Sequence, residues 1–367
     1  MVSKSMAPSS QIPLREDSSY IDKIMQADVK DVTKKVYLFQ IQDFVRSVDA
    51  KNIHDLITRP KFYNHKLRHM QRELNMKHTL LAAVFSVLKH TGMKAEYPRL
   101  ELTWKNEGKD IIDEFHSKLT SNIASPKQEM SFYDWNKVLE VRDQLPYGSF
   151  DHLLLSLYTY VPPRRQWDYF QLRVYTDPAE TPPLDHNHMH VYCEANKTAY
   201  IFLNEYKTAK YYKDFLNKDI PPEFLSVIKA SMKAEPRQYL LQQENGEPYD
   251  SVNSFQKRVN RRLKKIFKND AVTVNSLRHS FASLLKKIPD LSIQEWEFYA
   301  KKMGHSIMQS QQYAYVNTQR SHFGDLTNTS SSKKVQKEKG QAERLIDRQP
   351  ECFKRTGNTL TKIDCPS

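Results

Sequence analysis

Glycine and cysteine are both scarce in this sequence. Only 8 of the 367 residues are Gly, against an average share of about 7%. No glycine-rich loop that could cradle nucleotide phosphates is present, so nucleotide-driven chemistry has no support. The three cysteines, Cys193, Cys352 and Cys365, have a number and spacing that fit neither a disulfide framework nor a zinc site. This pattern favours a reducing, intracellular setting.

Long apolar runs are absent as well. No stretch approaches the roughly 18 apolar residues that a membrane-spanning helix needs, and the mean hydropathy is -0.71. The N-terminal residues, MVSKSMAPSSQIPLREDSS, contain no apolar segment typical of a secretion signal. We therefore expect an intracellular protein that is neither secreted nor held by a membrane.

Acidic residues are outnumbered by basic ones. The chain has 56 Lys and Arg against 43 Asp and Glu, which gives a formal net charge of +13 and a pI of about 9.3. Such a surplus predicts a polyanionic partner, with nucleic acid favoured over a membrane surface.

The length of 367 residues allows two domains, each with its own core. Apolar residues recur at three- and four-residue steps in KKVYLFQIQDFVRSV and MKHTLLAAVFSVLKHTG, which predicts amphipathic helices. Composition then suggests a flexible arm, a helical domain, a linker, a second domain and a polar, flexible tail, at 1–18, 19–95, 96–127, 128–320 and 321–367.

Strand-forming residues cluster in the second domain. The segments HMHVYCEA and TAYIFLNEYKTAKYY flank Asn196-Lys197, and their β-branched and aromatic content predicts a hairpin. The expected fold is therefore mostly α with a small antiparallel β-sheet. His186, His188 and His190 alternate along this region, as on one face of a strand. No carboxylate or Cys spacing supports a metal site there, so we expect surface histidines.

The segment TVNSLRHSFASLLKKIPDLSIQEWEFYAKKMGHSIMQSQQYAYV carries the chemistry-bearing residues. It brings Arg278, His305 and either Tyr313 or Tyr315 within about forty residues. An Arg can hold two phosphate oxygens with its planar fork, a His can donate a hydrogen bond, and a Tyr oxygen can attack phosphorus. This combination predicts phosphoryl transfer at a backbone phosphate.

Three fragments of this segment, LRHSFAS, MGHS and YAYV, resemble in order and spacing the motifs of the tyrosine recombinase (phage-integrase-like) family. The resemblance implies a two-domain clamp around double-stranded DNA, made of a helical core-binding domain and a catalytic domain. It also implies cleavage and rejoining of DNA through a covalent 3′-phosphotyrosine, without a cofactor or metal. A homotetramer on paired sites, monomeric when free, would perform recombination. A virus or mobile element is the implied source, and the nucleus or a viral replication site is the implied place of action.

The family also has an upstream Arg and a Lys on a β-hairpin. Arg165, followed by Asp168 and Leu172, matches the pattern of the first Arg, although Pro163 stands where the family has Gly. The adjacent Arg164 is a competitor that spacing alone cannot eliminate. Lys207, followed by Thr208, matches the family's general acid, and Lys210 is the alternative.

The resemblance assigns His305 to a phosphate oxygen and leaves two positions open. Asn275 stands where the family has His, and an amide cannot take a proton. It can still donate a hydrogen bond to phosphate, or cap a helix beginning at Ser276. The neighbouring His279 is expected to point elsewhere. Tyr313 is the nucleophile if one residue is deleted after His305, and Tyr315 is the alternative.

An intensely basic helix is predicted in SFQKRVNRRLKKIFK. Its Phe255, Val259, Leu263 and Ile266 form an apolar stripe, so the charged residues face outward. The positions expected to contact DNA phosphates are Arg164, Lys210, Lys257, Arg258, Arg261, Arg262, Lys264 and Lys265.

Two other functions share this pattern. A type IB topoisomerase-like relaxase uses the same chemistry without strand exchange. A catalytically inert DNA-binding protein could keep the fold without the activity, and the Asn275 departure keeps this alternative open.

Overall fold

Amphipathic helices make up the described part of the first unit. The computed structural model describes residues 17–193, 198–288, 290–315, 352–356 and 359–363, and the chain divides into two units, Met1–Ser121 and Asn122–Ser367. The helices of the first unit are α1 (Asp17–Met25), α2 (Asp31–Ser47), α3 (Ile53–Thr58), α4 (Pro60–His69), α5 (Leu74–His90), α6 (Met93–Glu96), α7 (Pro98–Glu107) and α8 (Lys109–Thr120).

The predicted linker 96–127 is wrong for most of its length, because α7 and α8 belong to the first unit. Trp104 of α7 is fully buried, and its Nε1 donates to the carbonyl oxygen of Ile57 at 2.8 Å. Pro98, which had suggested a break, occupies the first turn of α7, where proline is tolerated. The boundary between the units therefore lies after Ser121.

The second unit is also mainly helical, as predicted. A 3-10 turn, Gln166–Tyr169, follows the helix Phe150–Leu157. Its helices are α9 (Pro126–Ser131), α10 (Trp135–Asp143), α11 (Phe150–Leu157), α12 (Ala209–Tyr212), α13 (Pro222–Ala234), α14 (Val252–Phe267), α15 (Val274–Lys287), α16 (Ile293–Lys302) and α17 (Ile307–Tyr313).

A four-stranded sheet lies in the second unit, in the order β1 (Arg173–Tyr175), β2 (His188–Cys193), β3 (Thr198–Leu203) and β4 (Phe215–Asn217). The predicted hairpin is confirmed by the antiparallel pairing of β2 with β3, and its turn, 194–197, lies outside the described residues. The sheet is mixed, not antiparallel, because β1 pairs parallel with β2. The twelve-residue connection between them provides the crossover that a parallel pair needs.

Two of the three histidines of this region are not on the surface, contrary to the prediction, and the third, His186, is partly exposed. His188 and His190 are fully buried, since aromatic rings surround them. His188 stacks on Phe202 with ring centroids 5.0 Å apart, and His190 stacks on Tyr175 at 6.3 Å. Among the described residues, no group of three or more His, Cys, Asp or Glu is arranged to hold a metal.

The predicted tail, 321–367, contains two strands. β5 (Cys352–Thr356) and β6 (Thr359–Ile363) pair antiparallel. They flank Gly357-Asn358, a dipeptide typical of hairpin turns. The rest of the tail and residues 1–16 of the predicted arm lie outside the described residues. No helix in the described ranges is long and apolar enough to cross a bilayer.

Candidate active site

Helix α15 carries the first residues of the site. A capping box joins Thr273 and Ser276. The Thr273 side chain accepts from the Ser276 backbone N–H, and the Ser276 side chain accepts from the Thr273 backbone N–H. The helix therefore starts at Val274, and Asn275 is not its cap. Arg278, with 1% exposure, lies on the buried side of this helix, beside the apolar residues Leu277, Phe281 and Leu285.

The guanidinium of Arg278 joins three segments. Its Nη1 donates to the carbonyl oxygens of Pro163 at 2.8 Å and Met303 at 3.2 Å, and its Nη2 donates to Nε2 of His305. Burial, the largest cause, lowers the pKa of Arg278 to about 10. The Nε atom is buried without a hydrogen bond in the described part of the chain, which is a costly arrangement for a cation.

His305 is held as a neutral imidazole. Because Arg278 can only donate, Nε2 of His305 is the acceptor and Nδ1 carries the proton. Burial and the nearby cations, first among them Arg278, lower the pKa of His305 far below its ordinary value. The preceding Gly304 has a φ of +70°, and a Cβ there would lie 3.1 Å from Nη2 of Arg164. This turn therefore requires glycine.

The two adjacent arginines have different surroundings. Arg164 is 3% exposed; its Nε donates to Asp168 at 2.9 Å and its Nη1 to the carbonyl oxygen of Lys302 at 2.9 Å. Arg165 is half-buried, and its Nη1 donates to the carbonyl oxygen of Gly304 at 2.9 Å. Spacing had assigned Asp168 to Arg165, but the carboxylate pairs with Arg164. Arg164 thus braces the turn before His305, and Arg165 is the more accessible of the pair.

Tyr313, at the end of α17, lies against this cluster. Its hydroxyl donates to Oδ1 of Asn275 at 3.1 Å, and its ring centroid is 4.6 Å from that of His305. The Cζ atom of Arg278 is 5.4 Å from the ring centroid of Tyr313. Tyr315 is only 8% exposed, and burial raises its pKa well above the ordinary value. The structure thus brings Tyr313, not Tyr315, to Arg278 and His305.

His279 was expected to point away from the site, but it faces the two tyrosines. Its ring lies between those of Tyr313 and Tyr315, and its Nδ1 contacts the carbonyl oxygen of Tyr313. The sequence signal was available, since Asn275 and His279 are four residues apart and share one helical face. The Tyr313 hydroxyl donates its hydrogen bond to Asn275, not to His279.

The predicted lysines lie outside the β2–β3 hairpin. Lys207 and Lys210 are exposed, in the connection between β3 and β4. Lys207 is next to Tyr206, whose ring centroid is 4.9 Å from the Cζ atom of Arg164. The sequence has another Lys-Thr pair, Lys197-Thr198, at the start of β3, which sequence reasoning missed. Lys197 itself lies outside the described residues.

The basic residues of α14 divide into two groups. Arg258 pairs with Glu244, and Arg262 pairs with Asp151 at 2.8 Å. The other predicted positions on α14 form no ion pair among the described residues. Three of them, Lys257, Arg261 and Lys265, are exposed, and Lys264 is half-buried. The unpaired group is the better candidate for contacts with phosphates, because no carboxylate in the described part of the chain neutralises its charge.

Comparison with solved structures shows what the chain is similar to in fold. XerA recombinase has 15% identity over 82% of this chain and 95% of that chain, with a TM-score of 0.35. A lambda integrase dimer bound to a COC′ core site has 14% identity over 84% and 80%, with a TM-score of 0.46. A lambda integrase tetramer bound to a Holliday junction has 13% identity over 84% and 79%, with a TM-score of 0.41.

No protein-family model matches the chain, and no curated protein sequence does so either. The identities and TM-scores of the structural matches are low. The roles of individual residues therefore have to follow from the geometry of the site.

The arginine pair gives a stability prediction. Arg164→Ala leaves the fully buried Asp168 carboxylate without its partner and should cost about 3–5 kcal/mol. Arg165→Ala removes one half-exposed hydrogen bond and should cost about 1 kcal/mol. Urea unfolding of the two variants, followed by circular dichroism, measures both. Equal losses, or a larger loss for Arg165→Ala, would contradict the assignment of Arg164 as the bracing residue.

Proposed function

We propose that this protein is a tyrosine-type site-specific DNA recombinase, in which Tyr313 attacks a backbone phosphate bound by Arg278, Arg165 and His305. The observation that carries the proposal is the buried Arg278–His305 pair with the half-buried phenol of Tyr313 against it. A nucleophile, a rigid cation and a neutral hydrogen-bond donor are the groups that transfer of a phosphoryl group requires.

The charge of the site favours an anion. Arg164, Arg165 and Arg278 meet near the Gly304 turn, and Asp168 is the one carboxylate paired with them in the described part of the chain. The two further arginines add to the burial that lowers the pKa of Arg278. A phosphate would offset both the desolvation of Arg278 and this repulsion. Bound phosphate would gain additional stabilisation as charge develops in the pentavalent transition state.

The proposed reaction conserves the phosphodiester energy. The Tyr313 oxygen forms a bond to phosphorus, and the bond from phosphorus to the 5′-oxygen breaks. The products are a 3′-phosphotyrosine and a free 5′-hydroxyl, whose proton comes from a lysine: Lys207, Lys210 or Lys197. Attack by the 5′-hydroxyl of a partner strand reverses the step. No nucleotide or metal takes part in this scheme.

Asn275 stands where the resembling family has a His. The His can take up a proton, whereas the amide oxygen of Asn275 can only accept a hydrogen bond. Its Oδ1 orients the Tyr313 hydroxyl at 3.1 Å, but an amide does not take up the proton. The proton of the phenol therefore leaves to water or to a phosphate oxygen. This feature is compatible with an active site, and it is also what an inert DNA-binding protein would show.

DNA is the proposed partner, and its backbone would follow the exposed basic group on α14. Together with the surplus of 13 positive charges, these residues supply the sequence-independent part of binding. The resemblance of the sequence motifs extends the proposal to a homotetramer acting on paired sites, as an integrase of a virus or mobile element.

The covalent intermediate is the direct test of this proposal. On a nicked duplex that loses its 5′-fragment, the wild-type protein should form an adduct that survives denaturing electrophoresis. Tyr313→Phe should form none while retaining DNA affinity, because it removes one oxygen and keeps the ring. Tyr315→Phe is the matched variant and should still form the adduct.

The other outcomes separate the alternatives. An adduct with Tyr313→Phe but not with Tyr315→Phe would transfer the nucleophile to Tyr315. Binding without any adduct from the wild-type protein would indicate an inert DNA-binding protein. Adduct formation with relaxation of supercoiled DNA, but without strand exchange between two sites, would indicate a topoisomerase-like relaxase.

The two groups on α14 should differ in DNA binding. Arg261→Ala removes an exposed charge that has no ion-pair partner among the described residues, so it should weaken binding to any sequence and reduce the salt slope by about one unit. Arg258→Ala is the matched control, because its charge is already paired with Glu244, and its slope should change less. Salt titration of DNA affinity measures both, and identical slopes for wild type and Arg261→Ala would contradict a phosphate contact there.

A further inference from the structure

One face of α15 holds the segment that carries both tyrosines. Asn275, His279 and Ser283 are spaced by four residues, so their side chains lie in a row along the helix. Asn275 accepts a hydrogen bond from the Tyr313 hydroxyl at 3.1 Å, His279 lies between the rings of Tyr313 and Tyr315, and Ser283 Oγ accepts from the backbone N–H of Tyr315 at 3.0 Å. The row therefore fixes the register of residues 313–315 against the helix.

His279 is the central member of this row. Its ring centroid is 4.3 Å from that of Tyr313, at an interplanar angle of 18°, and 4.4 Å from that of Tyr315, at 7°. Stacking of aromatic rings at this separation is favourable. Nδ1 lies 2.8 Å from the carbonyl oxygen of Tyr313. Because a carbonyl oxygen only accepts, Nδ1 is the donor and the tautomer of His279 is fixed.

The imidazole of His279 stays neutral in this environment. Burial, the largest cause, lowers the pKa of His279 to about 4, so the ring carries no charge near neutral pH. A neutral ring with one fixed donor has a single arrangement between the two phenols. Arg278, the residue before His279 on α15, is thereby held with its Cζ atom 5.4 Å from the ring centroid of Tyr313.

We infer that His279 is a positioning residue that selects Tyr313 over Tyr315 as the nucleophile, by fixing the register of residues 313–315 on α15. The inference rests on the proposed function. In-line attack requires the phenol oxygen in one place, and a displacement of about 1 Å can cost about a hundredfold in rate. Tyr315, on the other face of the His279 ring, is kept buried and away from His305.

Three substitutions separate the two contacts of His279. His279→Phe keeps a flat ring between the tyrosines and loses the hydrogen bond, whereas His279→Asn keeps a side-chain N–H donor and loses the stacking. Each should slow adduct formation about tenfold, and His279→Ala about a hundredfold. The rates are measured in single turnover at saturating nicked duplex, so that they report the chemical step. The affinity for DNA should not change.

A control comes from the same helix. Lys286→Ala removes an exposed side chain of α15, one turn beyond Ser283 and two turns beyond His279, and should leave the rate unchanged. If His279→Ala forms adduct at the wild-type rate, or if its rate falls only as far as its DNA affinity or folded fraction falls, His279 does not position the nucleophile.

A readout without DNA distinguishes failure of the inference from failure of the proposed function. The ring signals of Tyr313 and Tyr315, in protein labelled with ¹³C-tyrosine and assigned with the two Phe variants, should both shift in His279→Ala and not in Lys286→Ala. If the wild-type protein forms no adduct, the proposed function fails, yet these shifts would still support the positioning of both rings. Unmoved signals would overturn the inference, whatever the activity.

Discussion

The site depends on the hydrogen bonds that the buried guanidinium of Arg278 donates. Burying a cation costs several kcal/mol unless its donors are used, and the partners of this one come from three separate segments, at Pro163, Met303 and His305. Each segment is consequently held at a fixed place around one charge. The same burial that orders these segments leaves the cation undercompensated. Under the proposed function, a DNA phosphate would supply the missing negative charge.

Rigidity and accessibility are divided between neighbouring residues. Arg164 donates hydrogen bonds to Asp168 and to the carbonyl oxygen of Lys302 at the end of α16, whereas Arg165 is half-buried beside the Gly304 turn. On α15, Arg278 faces the cluster and His279 faces the tyrosines. In the first pair Arg164 orders the protein and Arg165 stays accessible. In the second pair Arg278 joins three segments and His279 holds the two tyrosine rings.

The sequence predicted the helical character, the β2–β3 hairpin and the grouping of Arg278, His305 and Tyr313, because these follow from local periodicity and from motif order. Prediction from the sequence failed where tertiary contacts determine which residues pair and which are buried. Two adjacent arginines have the same spacing in any pattern, so only packing shows that Asp168 pairs with Arg164. Polar composition at 96–127 concealed the buried Trp104, and strand alternation alone did not show that aromatic rings cover His188.

The most direct measurement is the identity of the residue that carries DNA after cleavage. Nuclease trimming of the trapped adduct, tryptic digestion and mass spectrometry should give peptide 303–320 with added nucleotide mass, and fragmentation should place that mass on Tyr313. The account is contradicted if the nucleotide is found on Tyr315 or on another peptide. It is also contradicted if the wild-type protein binds its DNA site and no peptide carries a nucleotide.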